Sequence, residues 1–276
     1  MLTKLDDVIL YYRVEGSGPT PVLFLHGWGR DANYWNSFLQ EFSNINKNWR
    51  ECFTCYLVDL PGFGLSSAPS AVWGAEDYAA FLCKWLRTVS STPLERWVFV
   101  GHSFGGKVSM FLSRKASPSG VALLAASGVR KKTNLRQQLK LKCRQGLFKL
   151  AKAFIKLWYR FDPNKIEEAL EHYRQRHGSS DYRAAKGVMR NILVRTITED
   201  VTPWLAELKK LAMLLIWGEQ DTEVPISSAR IIAQLTGAPL KILENTGHDL
   251  LQDNLAATTQ WLGEFLQTFA SSKVRQ

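Results

Sequence analysis

Three stretches of this chain are apolar from end to end, and each stops at a glycine turn. Pro21 to Leu25 runs into His26-Gly27-Trp28-Gly29, Trp97 to Val100 into Gly101-His102-Ser103, and Ala212 to Trp217 into Gly218. A strand with one wet face would alternate apolar and polar residues; these do not, so both of their faces must be covered. That is the condition of a parallel strand packed between two layers of helix. Phe53 to Leu60, Val121 to Ser127 and the short Leu240 to Leu243 read as further strands, after an opening strand from Val8 to Val14. Helical spacing fills the gaps at Asn33 to Phe42, Tyr78 to Val89 (with Asp77 as its cap), the stretch after Ser103, and Leu255 to Phe269. The expected class is α/β: a mostly parallel central sheet with helices on both faces. The alternation stops between Val129 and Pro203, where only helical periodicity and charge remain. The sheet domain is therefore expected to be discontinuous, residues 1–128 and 204–276, with residues 129–203 inserted as a basic helical cap domain.

The run Val98 to Gly106 carries the chemistry. Gly101-His102-Ser103-Phe104-Gly105 sits between a strand and a helix that begins Lys107, Val108, Met110, Phe111 and Leu112. A serine in so sharp a strand-to-helix turn needs neighbours without a Cβ, where backbone approaches backbone. The result is an exposed hydroxyl at a helix N-terminus. There an unpaired N–H on Phe104 and the helix dipole favour developing negative charge.

A serine hydroxyl attacks a carbonyl only if a base takes its proton, and the base needs a partner to fix its tautomer. The chain has five histidines. His172 and His177 lie in the charged insertion, His26 is expected to hold its own loop, and His102 projects away from the Ser103 hydroxyl. His248, just past the last strand, is left as the base. Residues beyond the C-terminal ends of parallel strands gather on one edge. Asp221, past Gly218, is accordingly the expected third member, with Glu219, Glu223, Glu244 and Asp249 as rivals. Two amide donors are needed for the oxyanion of a tetrahedral intermediate, and the backbone N–H groups of Trp28 and Phe104 are placed to supply them. Gly27 and His102, beside those donors, are assigned to substrate binding.

His26-Gly27-Trp28, Asp59-x-Pro61-Gly62-x-Gly64-x-Ser66, Gly101-His102-Ser103-Phe104-Gly105-Gly106, Trp217-Gly218-x-x-Asp221-x-x-Val224-Pro225 and Gly247-His248 occur in this order along almost the whole chain. Together they resemble the α/β-hydrolase family, in its cap-bearing, esterase-like group. The resemblance implies a Ser103–His248–Asp221 triad, a cap over the pocket, and no cofactor or metal. Serine at 103 is unlike the dehalogenase and epoxide hydrolase branches, which use a carboxylate nucleophile. Carbon–carbon bond hydrolases of the ring-cleavage type carry Trp after the catalytic His, where this chain has Asp249. The expected activity is hydrolysis of an ester with a small to medium, largely apolar acyl group. A thioesterase or carbon–carbon hydrolase of the same fold and a non-catalytic ligand- or membrane-binding protein are the alternatives.

Charge is distributed unevenly. Residues 130–203 hold 18 Lys and Arg against 7 Asp and Glu, a net +11, while the whole chain of 276 residues carries +10, so the remainder sums to −1. Between Lys140 and Arg160 the basic residues Lys149, Lys152, Lys156 and Arg160 fall on one helical face, and Phe148, Ala151, Phe154, Ile155 and Trp158 on another. Such a helix can cover an active site, meet an anionic membrane surface, or attract acidic substrates. No nucleic-acid reading motif accompanies the charge. No apolar run reaches the length of a bilayer span and Met1 to Asp7 lacks the order of a signal peptide, so a cytoplasmic protein is expected. The four cysteines form no disulfide framework, and Cys52-x-x-Cys55 reads as a structural pair inside a strand approach.

Overall fold

The computed structural model describes residues 1–130, 163–177 and 179–270, together with residues 146, 150, 153, 157 and 158. Eight strands form one sheet: β1 (Leu2–Leu5), β2 (Val8–Glu15), β3 (Thr20–Leu25), β4 (Phe53–Val58), β5 (Val98–His102), β6 (Gly120–Leu124), β7 (Ala212–Gly218) and β8 (Leu240–Leu243). The strand order is β1-β2-β4-β3-β5-β6-β7-β8, antiparallel for the first two pairings and parallel for the other five. The α-helices with both ends among the described residues are α1 (Asn36–Ile45), α2 (Trp49–Cys52), α3 (Ala75–Val89), α4 (Ser103–Ala116), α5 (Pro163–His177), α6 (Ser180–Ala184), α7 (Gly187–Thr198), α8 (Ile226–Thr236), α9 (Leu250–Asp253) and α10 (Leu255–Gln267).

The strand order dictates where the helices go. From β3 the chain moves one way through α1 to β4, then back across β3 through α3 to β5. Right-handed crossovers in opposite directions put α1 and α3 on opposite faces. In the structure α3 packs on α4, and α1 on α10. The central strands β3, β5 and β6 are buried at every position, the pattern their unbroken apolar sequences require. Trp35, Trp49, Trp85, Trp97 and Trp217 are fully enclosed around them, with Phe24 5.1 Å from Trp35 and Phe38 stacked on Phe42 at 5.4 Å.

Several local expectations are refined. β1 was not expected: Leu2-Thr3-Lys4-Leu5 is an edge hairpin strand with half its residues exposed. Asp77 is not the residue before its helix but lies in the first turn of α3, which starts at Ala75; its carboxylate accepts the Gly74 N–H at 2.8 Å. The helix expected from Asn33 opens as a 3-10 turn, Ala32–Trp35, before α1.

The chain divides into two compact units, Met1–Arg130 with Val194–Gln276, and Lys131–Leu193. Residues 194–203, expected within the insertion, thus belong with the sheet. Hydrogen bonds and ion pairs to α3, α4 and residues 128–130 hold them there. Lys107 of α4 donates to the Thr196 carbonyl at 2.5 Å, the Glu199 carboxylate accepts the Ala75 N–H at 3.0 Å, and Arg195 reaches Asp77 at 3.0 Å. The Val201 N–H bonds the Gly128 carbonyl, and Asp200 Oδ1 accepts the Arg130 N–H. Burial lowers the Lys107 ammonium to about 8, against the pull of Glu199 and Asp200. In the second unit, Arg190 forks onto both oxygens of Glu171. The amphipathic stretch read between Lys140 and Arg160 lies mostly outside the described residues. Among the described residues no helix is long and apolar enough to cross a membrane.

Candidate active site

The parallel register aligns the last residues of the central strands. Leu25 pairs with Gly101, His102 with Leu124, and Gly218 with Leu243, so the loops that follow all leave from one edge. β3 is where the chain's direction of travel across the sheet reverses, and crevices open at such points. The loop after β3 and the turn after β5 therefore meet there.

Ser103 occupies that turn with φ of +50°, a left-handed conformation that costs a non-glycine residue about 1–3 kcal/mol. The packing that holds it is tight. A Cβ on Gly101 would lie 2.5 Å from the Gly105 carbonyl oxygen, and one on Gly105 would collide with the Leu25 carbonyl. The Ser127 N–H holds the Ser103 carbonyl at 3.0 Å from the far side. From this turn the hydroxyl meets the imidazole: His248 Nε2 is 3.0 Å from Ser103 Oγ. His248 Nδ1 lies 2.8 Å from Asp221 Oδ2.

Asp221 is held in turn by its own loop. Its Oδ1 accepts the N–H groups of Glu223 at 2.9 Å and Val224 at 2.8 Å, leaving Oδ2 for the imidazole. The Trp217 indole N–H closes the loop by donating to the Val224 carbonyl at 2.7 Å. The Gln220 N–H donates to the Thr246 carbonyl and so ties this loop to the one bearing His248. Because a carboxylate only accepts, His248 carries its proton on Nδ1, and Nε2 is left with the lone pair that faces Ser103. Burial pulls the His248 pKa down, but the Asp221 hydrogen bond and charge, with Glu223 and Asp249 behind, outweigh it and hold the imidazole above its ordinary value.

Phe104 is the second residue of α4, so its N–H has no acceptor within the helix. Trp28 stands opposite, its ring edge-on to Phe104 at 5.4 Å and to Phe63 at 4.8 Å. Gly27 is where the β3 loop comes closest: a Cβ there would sit 3.3 Å from Ser103 Cβ and 2.8 Å from His102 Nδ1. The structure thus gathers Ser103, His248, Asp221, Gly27, Trp28 and Phe104 at one place. Glu219, Glu244 and Asp249 are not the partner of His248 Nδ1, and Glu223 is 3.6 Å from Nε2 on an exposed side chain.

His102 is placed differently from its assignment to substrate binding. It is 2% exposed, Tyr34 stacks on it at 4.7 Å, and its Nε2 donates to the His248 carbonyl at 3.0 Å. Burial and the adjacent His248 lower it to about 3, so it is a neutral prop for the His248 loop. His26 holds its loop as expected: its Nε2 accepts the Leu60 N–H at 2.9 Å and Nδ1 donates to the Gly27 carbonyl at 2.7 Å. His172 is exposed in α5, and the side chain of His177 lies outside the described residues. Arg30 and Tyr34, which surround this loop pair with Asp249, carried no motif in the sequence, and Asp249 stood out there only as a rival to Asp221 and as the residue after His248. Cys52, Cys55 and Cys83 are free and buried, with the Cys55 thiol pushed up by desolvation.

Known proteins share this arrangement of elements. The membrane phospholipase A described as a bacterial virulence factor superposes with a TM-score of 0.69 at 21% identity, over 98% of this chain and 86% of that one. A thermophilic esterase from Thermogutta terrifontis gives 0.62 at 20% identity, over 96% and 95%. Over a shorter stretch, 102 residues, the chain is 31% identical to the pimeloyl-[acyl-carrier protein] methyl ester esterase of Proteus mirabilis, covering 36% of this chain and 33% of that protein. The family model for the alpha/beta hydrolase family matches residues 22–260, nearly the whole span that the sheet and its edge loops occupy, and the chain belongs to that family.

Proposed function

We propose that this hydrolase cleaves carboxylic esters of a small to medium, largely apolar acyl group through an acyl-enzyme on Ser103. The observation that carries the reading is the unbroken series from Ser103 Oγ through His248 to the buried Asp221 carboxylate, at 3.0 and 2.8 Å. His248 Nε2 takes the hydroxyl proton as Oγ attacks the ester carbonyl, and Asp221 stabilises the imidazolium that results. The Trp28 and Phe104 N–H groups receive the oxyanion; one such donor is worth about 3 kcal/mol. His248 then protonates the leaving alcohol. Water, activated by the same imidazole, releases the acid. The rings of Trp28, Phe63 and Phe104 offer an apolar wall beside the oxyanion position. Two of the similar proteins, a phospholipase and an esterase, act by name on esters, which supports the choice of bond.

The test is labelling by a fluorophosphonate and turnover of a chain-length series of p-nitrophenyl esters, with Ser103→Ala beside the native protein. Labelling and turnover by the native chain alone are expected, and the chain-length optimum sizes the pocket. Turnover that persists without the Ser103 hydroxyl would sink the reading.

One observation favours a lipid surface as the place where substrate is met. Leu150, Leu157 and Trp158 are 67%, 67% and 71% exposed, within a segment whose sequence carries +11. Apolar side chains dip into a headgroup boundary while lysines meet anionic lipids. Co-sedimentation with phosphatidylglycerol vesicles but not phosphatidylcholine vesicles is expected, and equal recovery with both would overturn it.

A further inference from the structure

Acylation needs two loops in register. The loop after β3 brings the Trp28 N–H, and the loop after β8 brings His248; nothing in the covalent chain joins them for more than two hundred residues. The structure joins them through side chains that the triad does not use. Arg30 Nη2 donates to Asp249 Oδ2 at 2.5 Å. Asp249 Oδ1 accepts the Gln252 N–H at 3.3 Å, so this carboxylate is also the cap of α9 and is fixed at its base. The Arg30 guanidinium lies 5.6 Å from the centre of the Tyr34 ring. Tyr34 is carried by the 3-10 turn that Asp31 caps, and it stacks on His102 at 4.7 Å with the rings 24° apart. His102 donates to the carbonyl of His248 itself. Burial, then the charge of Asp249, keep the Tyr34 phenol protonated well above its usual range. His248 is thus gripped on both sides: its own carbonyl through His102 and Tyr34, and its next residue through Arg30.

We propose that Arg30, Asp249 and Tyr34 are positioning residues: the Arg30–Asp249 ion pair and the Tyr34–His102 stack lock the loop of the oxyanion donor Trp28 to the loop of the base His248. The assignment rests on the serine hydrolase reading above. The pair does not act through global stability, since Arg30 is 47% exposed and pairs of that kind contribute little. Its effect is geometric. A displacement of about 1 Å between reacting groups costs on the order of 100-fold in rate.

The experiment compares the full-length native protein with Arg30→Ala, Arg30→Lys, Asp249→Asn and the Arg30→Ala/Asp249→Asn double variant. It reads kcat and KM on a p-nitrophenyl ester, thermal midpoints, and amide hydrogen exchange in peptides covering residues 26–31 and 245–250. Asp249→Asn keeps an acceptor for the Gln252 N–H and turns the oxygen that receives Arg30 into an NH₂, so both the charge and the acceptor for the guanidinium are removed. Each single change is expected to lower kcat by about 10- to 100-fold with KM and midpoint nearly unchanged. Arg30→Lys recovers part of the loss, and the double variant is no slower than the worse single one. Exchange at 26–31 speeds up in Asp249→Asn, and at 245–250 in Arg30→Ala. Native-like kcat in both single variants, losses that multiply in the double variant, or exchange confined to the mutated loop would each overturn the proposal. If the native protein itself hydrolyses no ester, the ester reading has failed, and the cross-loop exchange still decides whether the two loops are coupled.

Discussion

Two histidine–aspartate sets stand on the same edge of this sheet, one built from the exits of β3 and β4, the other from the exits of β7 and β8. In the first, His26 and Asp59 each spend themselves on backbone. His26 bonds Leu60 N–H and Gly27 carbonyl, and Asp59 accepts the Ala32 N–H at 2.7 Å on one oxygen and the Leu65 N–H at 2.8 Å on the other. In the second, Asp221 spends one oxygen on backbone and keeps one for His248, which keeps one nitrogen for Ser103. Residue types are the same and both carboxylates are buried, although His26 is wholly enclosed and the His248 side chain is 14% exposed. What differs is one valence left over at each residue, and that remainder is what turns a stitched loop into a relay.

The sharpest way to break the comparison is to make the same change in both sets. Asp221→Asn can still accept its two backbone N–H groups but offers His248 a donor where an acceptor stood, so the imidazole takes the wrong tautomer. Ester hydrolysis is expected to fall about 10⁴-fold, with the thermal midpoint little moved. Asp59→Asn must turn an NH₂ toward a backbone N–H, leaving a buried donor unpaired, at about 1–3 kcal/mol of stability. Activity per folded molecule should survive. If both variants lose activity alike at equal folded fraction, the distinction is wrong.

Next in size is acid unfolding. His26 and His102 are neutral in the fold, lowered by burial from 6.5 to about 4 and about 3. Between pH 6.5 and those values the unfolded chain binds more protons than the folded one, so stability falls as pH drops through that window. His248 runs the other way: its pKa is raised, so its contribution is present below 6.5 and lost as pH rises through the folded value. Denaturant titrations at pH 7 and 5 should show a lower midpoint at pH 5, less so for His26→Gln once its own loss at pH 7 is subtracted. An unchanged midpoint between the two pH values counts against neutral buried histidines.

A milder change tests the relay's surroundings. Activity should rise with pH through a value above 6.5, where His248 becomes neutral. Glu223, 3.6 Å from Nε2 but well exposed, adds to that rise. In Glu223→Gln the acid limb should move slightly to lower pH with the plateau rate kept, and a collapse of the plateau would instead make Glu223 a participant in the chemistry.

The sheet was readable from sequence because its central strands are apolar without interruption, a pattern few other environments permit. β1 was not, because four residues with polar alternation at an edge carry almost no signal. Strand ends bring Ser103, His248 and the loop after β7 together, since the topology makes those positions neighbours; choosing Asp221 over Glu219 and Glu223 in that loop took the Ser-Asp-His order and the family resemblance. The same reasoning could not see Arg30 with Asp249, which are 219 residues apart and belong to no motif. It turns His102 away from the Ser103 hydroxyl but could not place its imidazole between the Tyr34 ring and the His248 carbonyl, contacts that come from elements far apart in the chain. Charge marked the insertion but not its edge: residues 194–200 are rich in charge because they are clamped to α3 and α4.

The bond from the Val201 N–H to the Gly128 carbonyl, with Arg130 and Asp200 beside it, means that the intervening segment leaves and re-enters the sheet unit at one knot. A segment whose ends are already joined can be exchanged as a cassette: closing the gap with a short turn asks little loop entropy of the chain. Natural or laboratory variation can therefore rewrite residues 131–193 wholesale while the hydrolytic edge is inherited unaltered.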